Sequence, residues 1–162
     1  MNMIGRICSI DSQEYLIVEQ EGNVIFISTA DDLEFFKRKF KVEHLQINTT
    51  SCEAIVCQLN EYIRGDRTQF DFPYKLLGTP FQCQVWEGLQ EIPYGSAISY
   101  EGLSDILFET RKTRAVARAV SQNPLLLCVP CHRVIGKNGT LTGFRGGIEL
   151  KERLLRLERD MN

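Results

Sequence analysis

Residues 125–136 of this 162-residue chain read LLLCVPCHRVIG, two cysteines three positions apart with a histidine directly after the second. Cys128-x-x-Cys131 has the spacing of a redox pair or of half a zinc site. With His132 it also has the spacing of c-type haem attachment. A further reading splits the pair: Cys128 closes an apolar run, and Cys131 stands alone as a nucleophile beside His132 and Arg133. Each reading demands a different fold around the segment, so the flanking sequence decides between them.

A thioredoxin-like pair opens a helix that follows a strand of a parallel sheet. Here helical patterns precede the motif and a loop containing Gly136, Gly139, Gly143, Gly146 and Gly147 follows it, without a βαβ pattern. A zinc site lacks its second cluster, His44 is remote, and adjacent Cys-His ligands strain tetrahedral geometry. Haem would need an axial partner, and Met1, Met3 and Met161 all lie at the chain ends. For Cys131 the surroundings favour chemistry. A nearby imidazole and a positive charge lower a thiol's pKa, as a nucleophile requires. Spacing alone leaves a reactive Cys131 and an inert one both open.

On the C-terminal side of the motif, residues 148–160 (IELKERLLRLERD) have helical spacing, with Leu150, Leu154, Leu155 and Leu157 expected inward. On the other side, RAVARAVSQ (114–122) is expected to be a helix capped by Thr113 and stopped at Pro124. SYEGLSDIL (99–107) is expected to be a helix with Ser99 as its N-cap. The five-residue loop FETRK (108–112), followed by the Thr113 cap, joins them into a helix-turn-helix candidate. Val116, Ala119 and Val120 form the apolar side of the second helix. Arg114, Ala117, Arg118 and Ser121 form the other, a basic face of otherwise small residues that suits close approach to a nucleic-acid groove. PFQCQVWEGLQEI (80–92) is amphipathic. RTQFDFPYKLLGTP (67–80), with two prolines and a glycine, reads as a linker.

The first half reads differently. YLIVEQEGNVIFI suggests two strands about Glu21-Gly22-Asn23, and MIGRICSI a third. LEFFKRKF (33–40) and SCEAIVCQLNEYIRG (51–65) suggest helices. The second is expected to be capped by Ser51, to end at Gly65 and to turn Ala54, Ile55, Leu59, Tyr62 and Ile63 inward. Cys52 and Cys57 are expected to pack as small apolar residues. The fold class is therefore α/β (α+β): a small N-terminal antiparallel-sheet domain with helices over 1–79, then a mainly helical domain with a helix-turn-helix over 80–162.

Composition is ordinary for a globular protein, 43% apolar and 25% charged. The N-terminal residues form neither a signal peptide nor a membrane span, so an intracellular, reducing location is expected, with all six cysteines as thiols. The net charge of −2 hides an asymmetry. Residues 110–148 carry Arg111, Lys112, Arg114, Arg118, Arg133, Lys137 and Arg145 without one Asp or Glu, and suggest a surface facing an anion such as a phosphate backbone.

From about Thr79 to Glu158 the chain resembles the O6-alkylguanine-DNA alkyltransferases (methylated-DNA–protein-cysteine methyltransferases). FQCQVW (81–86), IPYGSAISY (92–100), RAVARAVSQNP (114–124), PCHRVIGKNGTLTGFRGG (130–147) and KERLLRLE (151–158) occur in the family's order, and Pro-Cys-His-Arg-Val is its most specific piece. The first half has only a generic likeness.

The resemblance implies roles. Cys131 accepts the alkyl group from O6 of guanine. His132 deprotonates it through a water, Glu158 orients His132, and Asn123 ties the recognition helix to the active-site turn. Tyr100 rotates a phosphate and protonates the departing guanine, and Arg114 fills the space left by the extruded nucleotide. Ala117 (often Gly in the family), Gln82 and Lys137 touch DNA. The carbonyls of Cys131 and Val134, the Tyr100 hydroxyl and backbone N–H groups near Arg145 form the base pocket, and Phe144 walls it. The implied partner is double-stranded DNA entered through the minor groove, with an alkylated guanine flipped out. No cofactor, metal or membrane is expected. A cytoplasmic monomer is, with cooperative assembly on DNA left open. The thioether does not leave, so each molecule reacts once. Relatives with Trp in place of the cysteine bind lesions without transfer, and Cys131 argues against that class.

Overall fold

A computed structural model describes residues 2–162. The chain divides into two compact units, Met1–Leu76 and Leu77–Asn162.

The first unit is built on a four-stranded sheet. Strands β1 (Met3–Ile10), β2 (Gln13–Gln20) and β3 (Asn23–Thr29) form an antiparallel meander. The two-residue connections Asp11-Ser12 and Glu21-Gly22 all take positive φ, the backbone that matches the twist of tight hairpins. The first half is not purely antiparallel, because β4 (Gln46–Ile47) adds a short parallel edge beside β1. Burial does not simply alternate either. Tyr15–Val18 and Val24–Ile27 are buried in succession, which means both sheet faces are covered there. Helix α1 (Leu33–Phe40) supplies part of the cover, with Phe35, Phe36 and Phe40 grouped about Phe26.

Helix α2 (Glu53–Ile63) starts later than its sequence pattern suggests. Cys52, in the left-handed region at φ 59°, is its N-cap, and the Ser51 side chain does not cap it. That register buries Ile55, Val56, Leu59 and Tyr62, and leaves Ala54 and Cys57 exposed. Cys57 therefore does not pack as an apolar residue. The proline-containing segment is not a free tether. Val24 donates to Pro73 O and accepts from Lys75 N, both at 2.9 Å, and Phe70 and Phe72 pack on from Tyr62.

The second unit opens with α3 (Pro80–Leu89), started by a capping box between Thr79 and Gln82 with Pro80 in the first turn. Its buried Trp86 donates through Nε1 to Ala119 O at 2.8 Å, tying α3 to the helix that holds Ala119. Gly88 allows close packing, since a Cβ there would lie 2.6 Å from Leu107. Helix α4 (Tyr100–Leu107) is capped by Ser99, whose Oγ accepts from Gly102 N at 2.9 Å. Helix α5 (Thr113–Ser121) begins at Thr113 rather than after it, and Thr113 is not its cap. The Ser104 Oγ, reaching from α4, accepts from Lys112 N at 2.6 Å and anchors that end.

This unit is not only helical. Strands β5 (Ile98–Ser99) and β6 (Val134–Ile135) pair in parallel, Ile98 with Val134 and Ser99 with Ile135. Runs of two residues carry no alternation to read. Helix α6 (Ile148–Met161) closes the unit and buries Leu150, Lys151, Leu154 and Glu158, while Leu155 and Leu157 are half-buried. Among the described residues no helix is long and apolar enough to cross a membrane.

Candidate active site and nucleic-acid interface

The turn that presents Cys131 is held by the end of α5. The Asn123 Oδ1 accepts from Leu125 N at 3.0 Å, and its Nδ2 donates to Val129 O at 2.9 Å. The same Val129 carbonyl accepts from Cys131 N at 2.7 Å. A fully buried amide thus fixes the apolar run and the cysteine that leaves it. Leu127 sits at φ 72°, a strained conformation for a branched residue and part of this reversal. Residues Cys131–Arg133 form one 3-10 turn that leads into β6. Because β5 runs directly into Tyr100, the small parallel sheet sets that residue alongside the motif.

His132 and Glu158 are 0% and 1% exposed. The His132 Nε2 lies 2.8 Å from Glu158 Oε2. Arg133 donates to both carboxylate oxygens, from Nε at 2.7 Å and from a terminal nitrogen at 2.9 Å, and to Ile92 O at 2.7 Å. Burial pushes the His132 pKa down, against the pull of Glu158. A neutral imidazole facing an ionised carboxylate must put its proton on Nε2, since the carboxylate only accepts. Nδ1 then carries the basic lone pair.

Arg133 therefore spends its charge on Glu158, not on the thiol as its place in the sequence suggests. Cys131 is 3% exposed, and burial raises its pKa. A hydrogen bond from Asn123 and the positive charges of Arg145 and Lys151 oppose that rise. Cys128 is half-shielded rather than wholly buried, and its thiol is pushed up to about 12 by burial.

Lys151 carried no signal as a site residue beyond its spacing: it shares an inward stripe with Leu154 and Glu158, three and seven positions on. It is 1% exposed and donates to Thr142 O at 3.0 Å. The Tyr100 hydroxyl donates to the same carbonyl at 3.3 Å, and the Lys151 ammonium lies 5.9 Å from the Tyr100 ring centre. Burial raises the Tyr100 pKa, so the phenol keeps its proton. Val134 and Phe144 are buried, and Arg145 is half-buried.

On the surface, a cleft of about 390 Å3 is lined by Ser99, Tyr100, Glu101, Thr113, Arg114 and Lys137. Arg114 and Arg118 are exposed on α5 and Lys137 on the turn after β6, while Ala117 is half-buried. Gln82 spends its side-chain oxygen on the Thr79 N–H at 3.0 Å. The acid-free run is less of an open basic face than its composition suggests. Arg111 pairs with Glu101 and Asp105 of α4, Lys112 stands over the rings of Phe81 and Phe108, and Arg133 and Arg145 face inward. Among the described residues no group of three His, Cys, Asp or Glu is placed to hold a metal.

Fold and site define a class: proteins in which a buried Cys-His pair, its imidazole bonded to a buried carboxylate, is carried beside two short helices, the second basic. Residues 80–160 match the family described as 6-O-methylguanine DNA methyltransferase, DNA binding domain. The inducible methylated-DNA–protein-cysteine methyltransferase of Bacillus subtilis is 42% identical over 78% of this chain and 70% of its own length. The constitutive one is 39% identical over 90% and 89%. The crystal structure of Mycobacterium tuberculosis O6-methylguanine methyltransferase aligns with a TM-score of 0.88 at 33% identity, over 99% of this chain and 94% of that one. The structure of M. tuberculosis OGT in complex with DNA aligns at 0.87 and 33%, over 98% and 94%. The chain belongs to the methylated-DNA–protein-cysteine methyltransferase family.

Proposed function

We propose that this protein repairs DNA by moving an alkyl group from O6 of guanine to Cys131, once per molecule. The buried thiol beside the His132–Glu158 pair carries this reading. Burial keeps Cys131 protonated at rest, so a base must act when substrate arrives. His132 is that base: its Nδ1 takes the thiol proton through a water while Glu158 holds Nε2. Glu158 is in turn kept charged and fixed by Arg133.

In the transfer, the S–C bond forms as the C–O6 bond breaks. The departing guanine takes a proton from the Tyr100 hydroxyl, which avoids an anionic leaving group. The proton taken by His132 returns through solvent to the Tyr100 phenolate, so the protein ends as a thioether with His132 neutral and Tyr100 protonated, and the guanine ends as the normal base. A thioether is a poor leaving group, so the site is not regenerated.

The thiol is too deep to meet a base inside the duplex, and the nucleotide must be extruded. We assign α5 to the minor groove, with Ala117 allowing close approach and Arg114 entering the vacated stack. Gln82 and Lys137 contact backbone. Val134, Phe144 and the backbone about Arg145 bound the pocket for the flipped base. The first unit acts as scaffold. A thiol that must stay reduced and a DNA substrate support a cytoplasmic location, and we read the protein as a monomer.

The C-x-x-C redox alternative is disfavoured, since a Cys128 thiol pushed up to about 12 makes a poor exchange partner. Titrating the protein with duplex DNA containing O6-methylguanine tests the proposal. The expected result is a repair plateau equal to the protein concentration. Continued turnover, or binding with the lesion intact, counts against it.

A further inference from the structure

The last-turn carbonyls of α5 are all engaged. Arg118 O accepts from the Ser121 hydroxyl at 2.7 Å, Ala119 O from Trp86 and Gln122 N, and Val120 O from Asn123 N at 3.2 Å. The fourth, Ser121 O, accepts from Arg145 at 2.7 Å, and the other arm of that guanidinium donates to Asn123 O. Such completeness is what a helix end needs when water is excluded, and a cation there also complements the helix dipole. The cap is unusual because it arrives from the glycine-rich loop. A tight turn from Gly147 N to Phe144 O, at 2.9 Å, holds Arg145 in place. Gly146 keeps the loop flat against its neighbours, since a Cβ there would lie 2.7 Å from Phe144 and 3.1 Å from Leu150.

We propose that Arg145 is a positioning residue for the transfer: clamped on Ser121 and Asn123, it locks the pocket loop to the end of α5 and holds a fixed positive charge beside the Cys131 thiol. The inference rests on the alkyl-transfer reading and adds a residue to it. Asn123 is the shared node, its carbonyl held by Arg145 and its amide bonded to the turn that presents Cys131. The titratable groups about the thiol come from several elements. Tyr100 of α4, Arg145 of the loop and Lys151 of α6 interact with it electrostatically, and His132 is its neighbour in the motif turn. Arg133 and Glu158 neutralise each other. Arg145 and Lys151 are thus the two cations that offset the cost of making a buried thiolate, and Arg145 alone also touches the DNA-reading helix.

The pH dependence of Cys131 modification by iodoacetamide, followed by peptide mass spectrometry on the full chain between about pH 6 and 10, tests this without DNA. Arg145→Gln keeps a donor for Ser121 O but loses the charge, whereas Arg145→Lys keeps the charge and loses the fork. The expected result is an upward shift of the Arg145→Gln profile by about one pH unit, seen as roughly tenfold slower reaction near neutral pH. Arg145→Lys should stay within about a third of a unit of the parent. Arg156→Gln, which removes an exposed cation paired with Glu152, should leave the profile in place. Equal shifts in both Arg145 variants, or none in either, overturn the proposal. Failure of the alkyl-transfer reading would show separately, as a Cys131 that reacts with iodoacetamide but takes no methyl from DNA.

Discussion

The Nε2 of His132 and the Oε2 of Glu158 lie 2.8 Å apart with both residues buried, and Arg133 grips the same carboxylate through two nitrogens. Glu158 therefore serves two partners: it orients the base and neutralises a buried guanidinium. Glu158→Gln should slow transfer about 100-fold or more. It should also destabilise the fold by about 3–5 kcal/mol, because Arg133 is left uncompensated. In the double variant Glu158→Gln with Arg133→Met, urea melts should recover much of the stability while transfer stays slow. Recovery of both would mean that Glu158 acts only structurally.

The buried imidazole predicts an acid limb of stability. The folded-state pKa of His132 is depressed below its ordinary 6.5. As pH falls, the unfolded chain takes up this proton first, so the contribution is full above about 6.5 and is lost below it. One proton accounts for a slope of at most about 1.4 kcal/mol per pH unit. Urea melts at several pH values between about 5 and 7 should show stability falling before the carboxylates titrate. A flat profile across that window would mean that folded His132 titrates normally.

Alkylation should weaken the folded state. Cys131 is 3% exposed and hydrogen-bonded within the Asn123 cluster, so a methyl on sulfur both crowds the site and removes the thiol proton. Overpacking of this kind costs about 1–3 kcal/mol. The methylated protein is expected to melt several degrees below the free form, and equal melting temperatures would contradict the packing described for Asn123.

Arg114 lies exposed on α5 beside the cleft that also holds Tyr100 and Lys137. Arg114→Ala should leave stability within about 0.5 kcal/mol of the parent. Transfer from duplex DNA should nevertheless drop by about tenfold or more, with a weaker salt dependence. Unchanged duplex kinetics would remove α5 from the interface.

Much of this was legible in the sequence, and the reasons differ by element. The β1–β2–β3 meander, α1, the Ser99 cap and the apolar side of α5 follow from local periodicity and turn chemistry. Cys131, His132 and Glu158 came from a motif, and the structure brings the last two into contact. What was missed depends on tertiary partners. The start of α2 depends on a left-handed Cys52, and that of α5 on the Ser104 hydroxyl. Arg133 looked like a cation for its neighbour Cys131, but its long side chain reaches Glu158 instead. Arg145 and Lys151 stood in a basic run and a charged helix, where solvent is the default reading. Only packing turns them inward.

Alkyl transfer to Cys131 is tested most directly by the intact mass of the protein after incubation with duplex DNA carrying one O6-methylguanine. Alkyl transfer should add one methyl group that maps to Cys131, persists in Cys128→Ala and disappears in Cys131→Ala. A methyl found on Cys128, or tight binding with no gain in mass, would contradict it.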